Sequence, residues 1–87
     1  MTAPINKLLA IREVLDDPIG MKDKLSDREL EVARLRAHGH MPKQIAAQLK
    51  VKPGTVWMFL DRVRMKTGIS SGDLTRKMME RLEEALQ

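Results

Sequence analysis

Apolar residues recur at spacings of three and four positions along almost the whole chain, and strict alternation of apolar and polar residues is absent. The first pattern places apolar side chains on one side of a helix, whereas alternation is typical of a half-buried strand. The chain is therefore predicted to be all-α, and its end signals delimit five helical segments.

The first predicted helix is Pro4–Asp16, since proline suits a first helical turn. Pro18 ends it, because a proline disfavours helical geometry at the residue before it. Residues 17–24 are then expected to be a polar linker. We therefore expect an N-terminal helix and linker over residues 1–24, followed by the main domain over residues 25–87.

The second helix has the clearest start in the chain. Ser26 and Glu29 have the spacing of a capping box, in which each side chain bonds to the other residue's free backbone N–H. Gly39 is placed to end this helix, because glycine adopts the left-handed conformation at little cost.

A short helix, a tight turn and a longer helix follow, which is the helix-turn-helix pattern. Pro42 opens the short helix and Pro53 opens the longer one, which Gly68 ends. Ala46 and Ala47 are small enough to let the two helices cross closely. The residues expected to be buried are Ile45, Ala46 and Leu49 in the short helix and Val56, Leu60 and Val63 in the longer one.

The last helix is predicted to begin near Ser71, and its apolar residues repeat on one side. They are Leu74, Met78, Leu82 and Leu86. Such a stripe packs into the helical bundle or against a second subunit. We expect both, because a terminal helix has few other surfaces to bury against.

Composition excludes several classes of function. The chain has no cysteine and only two histidines, so neither disulfides nor an ordinary structural zinc site is expected. Charges occur throughout the first twenty residues, and no apolar run is long enough for a membrane span. With no nucleophile–base pair, glycine-rich phosphate loop or metal set, no enzyme activity and no cofactor are expected. A soluble cytoplasmic protein is the resulting prediction.

The positive charge is concentrated in the middle of the chain. Residues 25–69 contain nine basic and four acidic residues, whereas residues 1–24 are balanced and residues 70–87 carry a net charge of −1. A basic block of this kind is typical of a phosphate-binding surface. Lys43, Lys50 and Lys52 fall at the start of the short helix and in the turn, where they can reach DNA phosphates.

One string of residues resembles the LuxR/FixJ type of DNA-binding domain over about 45 residues, half of the chain. It consists of Leu25, Ser26, Arg28, Glu29, Glu31, Val32, Leu35, Ala37, Gly39, Lys43, Ile45, Ala46, Leu49, Val51, Thr55, Val56, Leu60, Val63, Lys66, Gly68 and Ile69. The resemblance implies a four-helix domain, here with an additional N-terminal helix. It implies that helix 53–66 enters the major groove and that the last helix mediates dimerisation. The family usually carries a sensor domain before the motif, and the 24 residues here are too few for one.

By this resemblance, the groove-facing positions are Trp57, Met58 and Asp61. The full set of predicted DNA contacts is Lys43, Gln44, Lys50, Lys52, Thr55, Trp57, Met58, Asp61, Arg62 and Lys66. The chain departs from the family at three positions: Lys52 replaces the usual capping serine, Trp57 a frequent lysine and Phe59 a histidine. Apolar contacts with thymine methyl groups and an Asp61 contact with a cytosine amino group are the base readout that these residues allow.

The functional prediction is a sequence-specific transcription regulator of bacterial, phage or mobile-element origin. It is expected to bind double-stranded DNA as a homodimer on a palindromic site. The alternative is a protein-interaction module, or anti-activator, that pairs with another regulator. The apolar run Trp57–Phe59 and the acidic Asp61 favour this alternative. The sequence leaves open whether Trp57 lies in the core, faces DNA or faces a protein.

Overall fold

The computed structural model describes residues 4–87, and this part of the chain is helical without any strand. Its α-helices are α1 (Pro4–Asp16), α2 (Asp27–Ala37), α3 (Pro42–Leu49), α4 (Pro53–Thr67) and α5 (Leu74–Leu86). Short 3₁₀ turns at Lys22–Lys24 and Ser71–Asp73 precede α2 and α5. The all-α prediction is confirmed.

The start of α2 is fixed by the capping box that the sequence predicts. The Glu29 N–H donates to Ser26 Oγ at 3.2 Å, and the Ser26 N–H donates to Glu29 Oε1 at 2.8 Å. Two backbone donors that would lack a partner at a helix start are satisfied in this way. The helix cannot extend further toward the N-terminus, because Ser26 has extended backbone angles.

Positive φ angles end three of the helices. Gly39 (φ 99°) and Gly68 (φ 77°) follow α2 and α4 as predicted. Lys50, at the end of α3, has φ 58° and is the one non-glycine residue with a positive φ among those described. Its left-handed conformation reverses the chain between α3 and α4 within three residues, so the turn is as short as the motif requires.

The core lies where α2, α3, α4 and α5 meet. Its largest fully buried side chains include Val32 of α2, Ile45 of α3, Val56 and Val63 of α4, and Leu74 of α5. The buried stripes that helical periodicity predicts for α3 and α4 are therefore the ones that face the core. None of the helices in residues 4–87 combines the length and the apolar character needed to cross a lipid bilayer.

The N-terminal helix α1 packs against α5, and Val14 is its buried residue. The expectation of a polar linker after α1 is wrong for residues 17–19, which are buried. Tertiary contacts are the reason, and one of them is a hydrogen bond that Arg81 of α5 donates to the carbonyl oxygen of Asp17. Ile19 joins Val14 in the apolar core, and burial of its side chain withdraws this turn from water.

Candidate nucleic-acid interface

The helix-turn-helix unit consists of α3, the turn at residues 50–52, and α4. Ala46 is buried where α3 and α4 pack together, and the Val51 N–H donates to the Ala46 carbonyl oxygen at 3.0 Å. Of the two alanines expected at the crossing, only Ala46 lies there, since Ala47 is exposed. The close contact and the short turn hold α4 against α3 at a fixed angle.

Helix α4 is buried on one side and open on the other. Val56, Leu60 and Val63 face the core, whereas Trp57 is 55% exposed, Met58 43% and Met65 74%. Trp57 is therefore a surface residue, and the interpretation that places it in the core is wrong. We refer to the exposed residues 54, 57, 58, 61, 62, 64 and 65 as the outer face of α4.

The three predicted phosphate contacts of α3 and the turn are free at the surface. Lys43, Lys50 and Lys52 are exposed, and none of them forms an ion pair with a carboxylate in the described part of the chain. Lys43 lies in the first turn of α3, and Lys52 immediately precedes α4. Lys50 and Lys52 thus lie in the turn that leads into α4, whereas Lys43 lies at the opposite end of α3.

The charges on the outer face of α4 are arranged as a pair and a single residue. Arg64 Nη2 lies 2.7 Å from Asp61 Oδ1, and both side chains are more than half exposed. Arg62 is exposed and has no carboxylate partner within residues 6–87. Because Arg64 neutralises Asp61, the acidic residue repels a phosphate less than an isolated carboxylate would.

Three of the predicted contacts have other partners or less exposure. Gln44 Oε1 accepts a hydrogen bond from the Met41 N–H at 2.8 Å, so its side chain caps α3. Lys66 Nζ lies 2.6 Å from the buried Glu29 Oε1 and would have to leave this ion pair to reach a phosphate. Thr55 is half-buried in the first turn of α4. The partner of Lys66 lies 37 positions away, so sequence spacing does not reveal it, whereas the contact of Gln44 is local to the start of α3.

The Glu29 carboxyl is ionised in this setting. Burial raises its pKa, but the hydrogen bonds from Lys66 and Ser26 and the positive charge of Lys66 lower it more, so the pKa lies below its ordinary value. Lys66 is therefore part of the structure that holds α4 on α2.

The four residues predicted for dimerisation do not share one surface. Leu74 and Met78 are 0% and 7% exposed, so they belong to the core of this chain and are not open to a second subunit. Leu82 is half-buried, and Leu86 is 58% exposed. The sequence-based assignment also missed Met79, which is 48% exposed. Its spacing to Leu82 and Leu86 follows the helical repeat, which is the signal that could have identified it.

No group of three or more histidine, cysteine or acidic side chains suited to a metal ion occurs in the part of the chain that the structure describes. The two histidines have local partners. His38 Nε2 donates to the Leu15 carbonyl oxygen at 3.0 Å, and His40 Nδ1 lies 3.1 Å from Gln48 Nε2. These contacts attach the turn between α2 and α3 to α1 and to α3. Neither contact involves a residue on the outer face of α4.

Comparison with known proteins supports the helix-turn-helix geometry. The family model for the bacterial regulatory proteins of the luxR family (GerE) matches residues 23–82. The match begins before α2 and ends within α5, so it includes the whole helix-turn-helix unit and leaves α1 outside. No curated protein and no solved structure matches the chain.

Proposed function

The chain belongs to the luxR family of bacterial regulatory proteins, and from this membership we propose that it binds double-stranded DNA sequence-specifically, with α4 in the major groove. The family consists of DNA-binding regulatory domains and is not a family of enzymes. The observation that carries the proposal is the open outer face of α4, together with the exposed lysines Lys43, Lys50 and Lys52 of α3 and the adjoining turn.

The dimensions and charges of this surface suit a DNA duplex. A major groove of about 12 Å width admits a single helix, provided that one side of the helix is free of other protein. Lys50 and Lys52 adjoin the start of α4 and Lys43 lies in the first turn of α3, and exposed cations at such positions can contact the phosphates that flank a groove. The residue before α4, Lys52, provides no side-chain cap. Pro53 has no N–H, and the Thr55 N–H donates to the Lys52 carbonyl oxygen. The Gly54 N–H is therefore the donor at this helix start that is left for a phosphate oxygen.

Base readout by this surface is mainly apolar. Trp57 and Met58 occupy the first turns of the outer face and are exposed. Apolar side chains recognise the methyl group of thymine, which only the major groove presents. We therefore expect sites in which A·T pairs face the start of α4.

We further propose a homodimer formed through α5. Thr75, Met79, Leu82 and Leu86 follow one another at spacings of four, three and four residues, which is the pattern of a coiled-coil seam. Arg76 and Glu83 flank this seam on the same side, seven residues apart. In an antiparallel pair of α5 helices, Arg76 would lie opposite Glu83 of the partner subunit, and two-fold symmetry would repeat the contact. Such a dimer would bind two half-sites in palindromic DNA.

The test is an in vitro selection of bound DNA with purified protein, followed by affinity measurements over a range of salt concentrations. We expect a palindromic site and an affinity that falls steeply as salt rises. Lys52→Ala should weaken binding to all sequences alike and reduce the slope of log K against log salt by about 1, whereas Lys7→Ala, an exposed lysine on α1, should leave it unchanged. Failure to enrich any sequence at low salt would contradict the proposal.

A protein-interaction module is the second candidate, and the exposed Trp57, Met58 and Met65 favour it. Aromatic and methionine side chains are enriched at the centres of protein interfaces. For this function, a regulator protein should remain bound after nuclease treatment, and Trp57→Ala should release it. If DNA binding is the function, the protein acts in the cytoplasm, and a fluorescent fusion of it should co-localise with the nucleoid.

A further inference from the structure

The ion pair between Asp61 and Arg64 lies on the outer face of α4, the surface proposed above to enter DNA. Arg64 Nη2 is 2.7 Å from Asp61 Oδ1, and the two side chains are 56% and 57% exposed. We propose that Arg64 recognises a guanine in the major groove and that Asp61 is the positioning residue that orients its guanidinium. This inference rests on the proposed DNA-binding function and names the base that the surface selects.

The direction of the side chain supports this role. Side chains on a helix lean toward its N-terminus. The bond to Asp61, three residues earlier, therefore draws the guanidinium of Arg64 back toward the start of α4. Trp57, Asp61 and Arg64 border one shallow groove, which Leu60 and Ser71 complete. The cation is thus held on the same side of α4 as the exposed indole ring.

The chemistry of the pair selects guanine. An arginine has five N–H donors in a fixed planar arrangement, and the contact with Asp61 occupies only part of them. The remaining donors can pair with the O6 and N7 acceptors of a guanine edge, which is the commonest base-specific contact of arginine. A lysine at this position would lack the planar pair of donors.

Arg62 provides an internal contrast. It is exposed on the same helix, but no carboxylate among the described residues fixes its orientation. A free arginine beside a groove is suited to phosphate oxygens, which carry no sequence information. The two arginines should therefore differ in what their removal changes: base preference for Arg64 and affinity for Arg62.

The experiment is in vitro DNA selection with the full chain and the variants Arg64→Ala, Arg64→Lys, Asp61→Asn and Arg62→Ala, each checked for helix content by circular dichroism. The unaltered protein should select guanine at one position of each half-site. Arg64→Ala should reduce this preference roughly 5- to 150-fold. Arg64→Lys should also lose it but keep the dependence of affinity on salt, because the charge remains. Arg62→Ala should weaken binding without changing the selected bases.

A positioning role for Asp61 leads to a second prediction. Asp61→Asn should reduce the preference at the same position, and adding it to Arg64→Ala should cause no further loss of preference there. If Arg64→Ala binds more weakly but selects the same bases at every position, Arg64 is a phosphate contact and this inference is overturned, while the proposed function stands. If the unaltered protein selects no sequence, the proposed function itself is overturned.

Discussion

Lys66 Nζ of α4 lies 2.6 Å from Glu29 Oε1 of α2, and the same carboxylate oxygen accepts a hydrogen bond from the Ser26 N–H at 2.8 Å. One buried carboxylate therefore caps α2 and fastens α4 to it. Glu29 is 2% exposed, so water cannot replace Lys66 as the partner of its carboxylate. This contact therefore helps the apolar core to position the outer face of α4.

Removing the lysine should destabilise the fold. In Lys66→Met, the Glu29 carboxylate stays buried without its cationic partner, and we expect a loss of about 1–3 kcal/mol in the free energy of unfolding. This value is below that of a fully buried ion pair, since the Lys66 side chain is 43% exposed. Urea unfolding measures it. Lys52→Met is the matched control, and its exposed, unpaired side chain should change stability by less than about 0.5 kcal/mol. Equal effects of the two substitutions would contradict the role of the ion pair.

The Glu29 carboxyl should also make stability depend on pH. Its pKa is lowered in the folded protein relative to an ordinary value of 4.5, so the unfolded chain binds its proton more readily. The resulting stabilisation is fully present above the unfolded pKa and is lost as the pH falls through the lower folded pKa. The stability advantage of the unaltered protein over Glu29→Gln should therefore shrink on acidification. An advantage that persists unchanged in acid would show that Glu29 acts only through packing.

Lys50 offers a substitution with opposite effects on stability and on DNA binding. A lysine at φ 58° is strained, whereas glycine is not. Lys50→Gly should raise the free energy of unfolding by about 0.5–1 kcal/mol. It should also reduce the slope of log K against log salt by about 1, since a phosphate contact is lost. Lys52→Gly removes the same charge at φ −76° and should give no gain in stability. If the gain were equal at both positions, backbone strain at Lys50 would not be its cause.

Trp57 is the single tryptophan of the chain and reports directly on the outer face of α4. Because its side chain is 55% exposed, its fluorescence should resemble that of a hydrated indole and shift on addition of the selected DNA. Trp57→Ala should change the free energy of unfolding by less than about 0.5 kcal/mol while altering the preferred bases. A blue-shifted emission in the free protein, or a large loss of stability, would place the indole in the core.

The proposed α5 dimer can be tested by exchanging its charges. Arg76→Glu or Glu83→Arg alone would bring like charges together across the interface and should weaken the dimer by roughly tenfold. The double variant restores opposite charges across the interface and should dimerise more tightly than either single variant, although Arg76→Glu also removes the contacts of Arg76 with Asp73 and Glu80 within α5. Analytical ultracentrifugation measures the dissociation constant. Glu84→Lys, on the exposed side of α5 away from the seam, is the control. Additive weakening in the double variant would rule out this pairing.

Local signals predicted most of the fold correctly. The capping box at Ser26, the prolines that open α3 and α4, and the glycines at positions 39 and 68 act on the adjoining backbone, so they specify helix ends without any knowledge of distant neighbours. The prediction for the start of α5 was less accurate. The sequence predicts a helix that begins near Ser71, whereas residues Ser71–Asp73 form a 3₁₀ turn and α5 begins at Leu74.

The candidate site was predictable only in outline. Periodicity assigned Val56, Leu60 and Val63 to the core and therefore indicated which side of α4 is free. It could not show that Lys66 pairs with Glu29, 37 positions away in the chain. Nor could it separate Met79 from Met78, because exposure on α5 depends on where α1 and α2 contact it.

The order of residue types along the chain is enough to locate the five helices, most of their ends and the family to which residues 23–82 belong, because these depend on neighbouring residues. The packing of α2 against α4 adds what the local pattern lacks: Lys66 is held by Glu29, whereas Lys43, Lys50 and Lys52 have no carboxylate partner in the described part of the chain. This is because the charged group of a long side chain pairs with an opposite charge that folding brings within a few ångströms of it. Helical spacing fixes only the direction in which that side chain leaves its own helix.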